Sequence, residues 1–378
     1  LGLTLAGLIN QVVMGGIGAG INRFYSIASE KQDLPGYLGA SRRLMGYATG
    51  VVILLGLALV TGLWLLGRVQ WMGLAVAALI FSVLGGYNSA LSGIQNAARQ
   101  RAIVAFHGGF DAWLKIGLAV AVMTWLGNSS TAVVIGYTCS SVMITFSQLI
   151  FLRRTISEQK QNPAQDNHWM RQMWLYSMPL TTWGIFTWMQ QASDRWALQT
   201  YTSSTEVGQY AVLFQLGYTP IVIATGLVMN FLGPILFQRA GDASDPLRNA
   251  NVHRISWQMT QLALTTTMVG FTLAFYLHEW LFSWLVAVEY RESSYLLPWV
   301  VLAGGLFSAG QILATKLLSE LNTSVLTSAK IFTALIGIIC NLIGAALNGI
   351  LGVVIGLITF SIVHFIWIAI ISRKQLRN

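Results

Sequence analysis

Long apolar runs separated by short polar gaps account for nearly the whole of this chain. An α-helix needs about twenty consecutive apolar residues to cross the hydrocarbon core of a bilayer, and each run approaches that length. The pattern predicts eleven spanning helices, over residues 1–22, 44–67, 71–97, 103–126, 130–152, 172–194, 207–237, 255–278, 294–319, 325–347 and 351–372. The sequence therefore predicts an all-α polytopic membrane protein.

The basic residues sort with the gaps between these runs. We assign eighteen of the twenty-two Lys and Arg residues to every second gap, including Lys316 and Lys330, which lie near the ends of the two runs that flank one gap. Short loops rich in Lys and Arg stay on the cytoplasmic side of a membrane. We therefore expect loops 24–43, 153–171 and 239–254 to be cytoplasmic, and loops 195–206 and 279–293 to be periplasmic. The same dispersion explains the net charge of +9 without a nucleic-acid-binding surface.

Composition and motifs narrow the function classes further. With 55% hydrophobic and 9% charged residues, the chain is not a set of soluble domains. Cys139 and Cys340 both lie inside apolar runs and indicate neither a disulfide framework nor a metal site. Because the sequence has no Ser-His-Asp set, no metal-ligand spacing and no Walker loop, we expect no enzymatic activity, no ATP hydrolysis and no cofactor.

The longest polar stretch divides the runs into five and six. It predicts an N-terminal lobe over 1–152, a cytoplasmic linker over 153–171 and a C-terminal lobe over 172–378. The charge pattern places Leu1 outside the cell with no topogenic segment before it, so we expect one leading helix to be missing from this chain. Restoring it gives about twelve helices, six in each lobe, the arithmetic of a duplicated transporter built from two bundles.

Ionisable residues inside a bilayer are costly, and each is a functional hypothesis. Asp111 and Lys115 lie four residues apart and therefore on one helix face. They form either a self-neutralising structural pair or a cavity-facing cation with a proton-responsive carboxylate. Arg23 closes the first run, after Asn10 and Gln11, and is either a positive-inside anchor or a ligand for substrate.

A second group of polar residues lies in the later half. Asp194 and Arg195 end one predicted helix, with Gln191 one turn earlier, so the outer end of this helix is unusually polar. Lys316 and Glu320 repeat the four-residue spacing at an inner helix end, where structural anchoring is favoured. His364 is alone on an apolar helix and is more typical of a hydrogen-bonded core residue than of a proton relay.

One stretch of the later half resembles a known family. From Ser177 to Asp242 the sequence has a Pro early in a helix, an Asp-Arg at its outer end and a Val-Gly-x-Tyr entering the next helix. These positions are Pro179, Asp194, Arg195, Val207, Gly208 and Tyr210. They resemble the opening of the second lobe in polysaccharide and O-antigen flippases of the multidrug/oligosaccharidyl-lipid/polysaccharide exporter superfamily. The earlier half is similar to that family's first lobe in Gly15 to Gly20, Arg23 and Phe24.

This resemblance implies two pseudo-symmetric six-helix lobes around a central cavity that opens alternately to each side. It also implies a multi-pass protein of the bacterial inner membrane that moves an undecaprenyl-diphosphate-linked oligosaccharide by alternating access. The implied partners are that glycan, membrane lipids, and glycan polymerase and assembly proteins, without nucleic acid. A diphosphate needs cationic partners in a wet cavity. The expected substrate-binding residues are Arg23, Lys115, Arg195, Asn10, Gln11 and Gln191, and the expected coupling or ion-pair residues are Asp111 and Asp194.

Two alternatives stay open. An ion-coupled multidrug exporter of the same superfamily would have a similar duplicated fold and would depend on a membrane-embedded acidic residue. Asp111 is the only deep carboxylate in the sequence, and it is expected to pair with Lys115. A membrane glycan polymerase or ligase belongs to another class. It would carry a large outer loop with Arg and His, whereas no outside loop here exceeds about fifteen residues.

Overall fold

The computed structural model describes residues 2–156 and 166–374, and these residues are almost entirely helical. The helices are α1 (Gly2–Ile9), α2 (Gly15–Glu30), α3 (Leu34–Leu65), α4 (Met72–Ala97), α5 (Arg101–Leu126), α6 (Ser130–Ile156), α7 (Asp166–Tyr201), α8 (Ser204–Leu213), α9 (Thr219–Ala240), α10 (Pro246–Leu285), α11 (Leu297–Ser319) and α12 (Thr323–Lys374). Short π-helical segments, Asn10–Met14 and Phe214–Tyr218, join α1 to α2 and α8 to α9.

Every predicted apolar run is helical. Within the described ranges, nine helical stretches are long and apolar enough to cross a membrane. One of them, α12, holds two predicted runs, because its backbone leaves the helical conformation at Asn348 and Gly349. The remaining predicted run, 172–194, lies within α7, whose first turns are polar. The prediction of an all-α polytopic membrane protein is confirmed.

Contacts divide the chain into two compact units, Leu1–Ile185 and Phe186–Asn378. In the first unit α4 packs against α2, α3 and α6, and in the second unit α11 packs against α9, α10 and α12. The predicted lobes and linker stay a prediction, and positions 157–165 of that linker lie outside the described residues.

The outer faces of the helices are as apolar as a lipid-facing surface requires. On α5, for example, the side chains of Trp113, Ile116 and Val120 are exposed. In lipid such residues need no burial, because the hydrocarbon is as apolar as they are. Association between helices then depends on close packing and on polar contacts.

Glycine permits the close packing in both units. A Cβ atom added at Gly16 or Gly20 of α2 would collide with Thr181 or Ser177 of α7. In the second unit, Gly344 and Gly352 lie on the two halves of α12, and a Cβ at either would collide with the backbone of the other. Small residues therefore allow these helix backbones to approach each other, as the glycine-rich sequence predicts.

Caps fix several helix ends. The side chain of Asp33 accepts a hydrogen bond from the backbone N–H of Gly36, and Pro35 occupies the first turn of α3. Asp245 and Pro246 repeat this arrangement at the start of α10. The same rule places Pro298 in the first turn of α11.

The break in α12 has a carboxylate cap. Gly349 has φ +52° and ψ −131°, a backbone conformation that residues with a Cβ rarely adopt. The next residue, Ile350, donates its backbone N–H to Oε2 of Glu206 at 3.1 Å. Glu206, from α8, thus caps the second half of α12 where its first N–H groups lack helical partners.

Candidate functional site

Asp111 and Lys115 form an ion pair on α5 in the first unit. Lys115 Nζ lies 2.6 Å from Asp111 Oδ2, so the expected pairing is confirmed. The hydroxyl of Ser140 on α6 donates to the other carboxylate oxygen at 2.8 Å, and the ammonium lies 5.5 Å from the ring centre of Phe81 on α4. The side chains of Lys115 and Asp111 are 29% and 20% exposed. The pair is therefore oriented by α4 and α6 and remains partly accessible.

Further polar contacts run along the seam between α4 and α6. Thr145 donates to Asn88 Oδ1 at 2.5 Å, and Gln148 donates to Ser92 Oγ at 2.8 Å. Asn10, in the first π-helical segment, donates to the carbonyl of Ser82 on α4 at 3.2 Å. Asn10 is thus tied to the helix packing of the first unit. Interhelical hydrogen bonds of this kind hold membrane helices together.

Arg23 is fully buried in α2. Its Nη1 lies 3.3 Å from Ser26 Oγ, and the neighbouring ring of Phe24 packs edge-on against Trp169 and Tyr176 of α7. A guanidinium enclosed in this way is not presented at an open surface. Arg23 and Lys115, both expected to bind substrate, instead have different partners within the first unit.

Asp194 and Arg195 are adjacent in α7 but differ in environment. Asp194 is buried, and Tyr210 of α8 donates its hydroxyl to Asp194 Oδ2 at 2.7 Å. Arg195 is exposed, with its guanidinium 5.6 Å from the ring centre of Phe214. Beside them, Asn341 of α12 donates to Ser193 Oγ at 2.9 Å. The buried contacts join α7 to α8 and α12 within the second unit.

Two amides complete the predicted set. Gln191 is exposed on α7, and Gln11 is half-buried in the first π-helical segment. The backbone of Gln11 packs closely against Gly184 of α7: a Cβ atom added at Gly184 would lie only 2.8 Å from the carbonyl oxygen of Gln11. The substrate-binding roles of Arg23, Lys115, Arg195, Asn10, Gln11 and Gln191, and the coupling roles of Asp111 and Asp194, stay predictions.

The second unit contains an apolar cleft of about 570 Å³. The π-helical segment, α9, α10 and α11 form its walls, which are mostly aliphatic. Four hydroxyl side chains, those of Thr225, Thr266, Thr267 and Ser308, are the polar exceptions. A volume of several hundred cubic ångströms is typical of sites for drug-sized ligands.

A buried basic cluster in the second unit corrects the assignment of Lys330 to a loop. Lys330 is in α12, seven residues beyond the first residue Thr323, and only 7% exposed. His364 is fully buried, and its Nε2 lies 3.5 Å from Lys330 Nζ, so the expectation of a hydrogen-bonded core residue is confirmed. The two residues are 34 positions apart, and the chain reversal at Asn348 and Gly349 brings them together. No local motif could have revealed this pair.

Lys316 is also buried, at the end of α11. Its ammonium lies 2.9 Å from Glu320 Oε1 and donates to the carbonyl of Ser372 at 3.1 Å, which agrees with structural anchoring. Burial raises the pKa of the Glu320 carboxyl, and the nearby Lys316 ammonium opposes that rise. Across the described ranges, no group of three or more His, Cys, Asp or Glu side chains could hold a metal ion.

Solved structures similar to this fold include MATE transporters. The Vibrio cholerae MATE transporter VcmN in its bent form is 15% identical over 98% of this chain and 86% of its own length, with a TM-score of 0.71. A MATE structure in the straight conformation is 14% identical with a TM-score of 0.70, over 99% of this chain and 86% of its own.

A third similar structure is an outward-facing multidrug resistance MATE family transporter of the MOP superfamily. It is 13% identical over 99% of this chain and 86% of its own length, with a TM-score of 0.67. No protein-family model and no curated protein matches the sequence. At these identities the likeness establishes the fold alone, which is that of the solved MATE transporters.

Proposed function

We propose that this protein is an ion-driven exporter of amphipathic organic compounds, a secondary carrier of the multidrug type in the bacterial inner membrane. The observation that carries the proposal is the 570 Å³ cleft in the second unit, because its walls are aliphatic with a few hydroxyl groups. Such a lining suits a solute with a large apolar body and a small polar part. The likeness to a multidrug resistance MATE transporter supports the same substrate class.

The state of the predicted phosphate ligands also favours this class over a diphosphate carrier. A diphosphate needs several cations that converge on one wet site. Arg23 is fully buried, Lys115 is neutralised by Asp111 at 2.6 Å, and Arg195 is exposed beside Phe214. These three cations therefore lie in three different environments.

A dye-efflux assay in cells that lack their own exporters tests the proposal. Ethidium, an amphipathic cation, should leave cells that express the protein faster than control cells. Ala224→Trp fills the cleft and should slow efflux by about tenfold, since about 1.4 kcal/mol of lost binding is a tenfold effect. Val120→Trp, on the exposed face of α5, is the matched control and should leave efflux unchanged. Equal efflux by both variants would contradict a role for the cleft.

The second candidate is the flippase for a polyprenyl-diphosphate-linked glycan. The stretch from Ser177 to Asp242, with its Asp194-Arg195 pair, favours it. Under this hypothesis the protein restores surface glycan in a strain that lacks its own flippase, and Arg195→Ala strongly lowers the amount of glycan at the surface. Arg195→Lys should rescue it only in part, because lysine keeps the charge and loses the bidentate geometry. Surface glycan without dye efflux would favour the flippase over the exporter.

A further inference from the structure

A buried cluster of polar side chains lies between α11 and the two halves of α12 in the second unit. It consists of Lys330, Thr333 and His364 from α12 and of Gln311 and Phe307 from α11. Lys330 Nζ donates to Gln311 Oε1 at 2.9 Å and lies 5.6 Å from the ring centre of Phe307. His364 is fully buried, and Thr333 is 1% exposed. We call these five residues the Lys330–His364 cluster.

The hydrogen-bond partners define which imidazole nitrogen faces the ammonium. Thr333 donates its hydroxyl to the carbonyl of Lys330 at 3.2 Å, so its oxygen is free to accept from Nδ1 of His364 at 3.5 Å. A proton on Nδ1 leaves the lone pair of Nε2 pointing at Lys330 Nζ, also at 3.5 Å. A movement of about 0.5 Å would shorten this contact to an ordinary hydrogen bond.

Other ionisable groups on the packed helices have their own contacts toward the helix ends. Lys316 pairs with Glu320, Arg373 lies 4.6 Å from the ring centre of Trp257, and Asp194 accepts from Tyr210. The further titratable groups on these helices and on the second π-helical segment are Arg195, Tyr201, Tyr218, Arg239, Arg248, His253, Arg254, Tyr276, His278, Glu279, Cys340 and Lys374. Within the cluster itself, the Lys330 side-chain nitrogen and the His364 imidazole lie 3.5 Å apart, and both side chains are buried. Two positive charges at that distance repel each other strongly, so the pair favours one excess proton.

We propose that the Lys330–His364 cluster is the site at which the coupling proton binds and is released. In the exchange, Lys330 passes a proton from Nζ to Nε2 of His364, so a neutral amine and an imidazolium replace an ammonium and a neutral imidazole. His364 then releases that proton to water on one side of the membrane, and Lys330 takes up a proton from water on the other side, so charge and atoms balance over the cycle. The cluster is too enclosed for a larger ligand. This inference rests on the proposed ion-driven carrier and names its coupling ion.

The position of α11 links this proton site to the cleft. Phe307 and Gln311 contact Lys330 or His364, while Ser308 and Ile312, the next residue after each, line the cleft. A change of charge at the Lys330–His364 cluster therefore acts on the helix that forms one wall of the cleft. A transported solute that binds one arrangement of α11 more tightly than another therefore changes how tightly the proton binds, and the proton changes the binding of the solute in the same way.

Nitrogen NMR of the imidazoles tests proton binding without any transported solute. The whole protein, labelled with ¹⁵N-histidine in lipid nanodiscs, is titrated from about pH 5 to 9, the range in which histidine usually changes charge. The His364 signal is assigned by its loss in His364→Gln. In Lys330→Met the midpoint should move upward by at least about one pH unit, since a neighbouring positive charge has gone. An unchanged His364 signal in Lys330→Met would overturn the proposal.

Reconstituted vesicles test the coupling, with ethidium as the probe. At one-for-one exchange, each pH unit across the membrane should sustain about a tenfold ethidium gradient. Lys330→Arg keeps the positive charge but does not release its proton, and His364→Gln keeps hydrogen-bonding groups without a titrating ring. Both should lose gradient-driven accumulation and retain downhill ethidium movement.

His107→Gln is the matched control. His107 is also buried, and its ring nitrogens contact the carbonyl of Ile103 and Ser147 Oγ, each at 2.9 Å. This variant should accumulate ethidium as the unmodified protein does. Normal accumulation by both Lys330→Arg and His364→Gln would overturn the proposal. If the unmodified protein moves no ethidium, the proposed function fails, and the NMR titration still decides whether the cluster binds a proton.

Discussion

At the scale of single residues, burial distinguishes two arginines that the sequence alone treats alike. Arg23→Ala removes a fully buried side chain from the packing of α2, and we expect it to lower stability by about 2 kcal/mol or more. Arg195→Ala removes an exposed side chain that contacts Phe214, and the expected loss is about 1 kcal/mol or less. The apparent melting temperatures of the two purified variants, compared with that of the unmodified protein, measure both losses of stability. A larger loss in Arg195→Ala would contradict the environments assigned here.

The contrast between two charged pairs shows what sequence predicts at this scale. Asp111 and Lys115 are four residues apart, and helix geometry alone brings them onto one face. Lys330 and His364 are 34 residues apart, and their contact depends on where α12 reverses. The sequence does contain one signal, because Lys330 lies within the apolar run 325–347, where a buried cation needs a partner. The identity of that partner is a tertiary property.

At the scale of elements, the break in α12 should be sensitive to its glycine and to its cap. Gly349→Ala places a Cβ on a backbone with φ +52° and should cost about 1–3 kcal/mol. Glu206→Ala removes the acceptor for the N–H of Ile350 and should cost about 1 kcal/mol. Gly226→Ala is the control, since a Cβ there meets open space in α9. A melting temperature that falls equally in all three variants would contradict this account.

Most elements are predictable from apolar runs, and their irregularities are not. All eleven predicted runs are helical, because backbone groups in hydrocarbon must be satisfied within the segment. The π-helical segments Asn10–Met14 and Phe214–Tyr218 have no distinct hydrophobic period, so the pattern shows only continuous runs there. The sequence pattern shows the reversal at Gly349 as a boundary between two apolar runs. It does not show the cap by Glu206, because Glu206 is 144 residues away from Ile350.

At the scale of the whole molecule, the distribution of charge predicts which loops lie on which side of the membrane. Loop 241–245, between α9 and α10, belongs to the basic set with Arg239 and Arg248, and we expect it in the cytoplasm. Loop 286–293, between α10 and α11, belongs to the set that is poor in cations, and we expect it in the periplasm. Since α10 is 40 residues long and apolar enough to cross the bilayer, its two ends should lie on opposite faces.

Single cysteines at these two loops test the orientation directly. In a background with Cys139→Ser and Cys340→Ser, we place one reporter at Ser244→Cys and another at Glu289→Cys, both exposed positions. A membrane-impermeant maleimide should label Glu289→Cys in cells with a permeabilised outer membrane and an intact inner membrane. Ser244→Cys should react only after the inner membrane is opened, because the basic flanks of its loop retain it on the cytoplasmic side. Labelling of Ser244→Cys with the inner membrane intact would reverse the predicted topology and leave Arg239 and Arg248 without a role as cytoplasmic anchors.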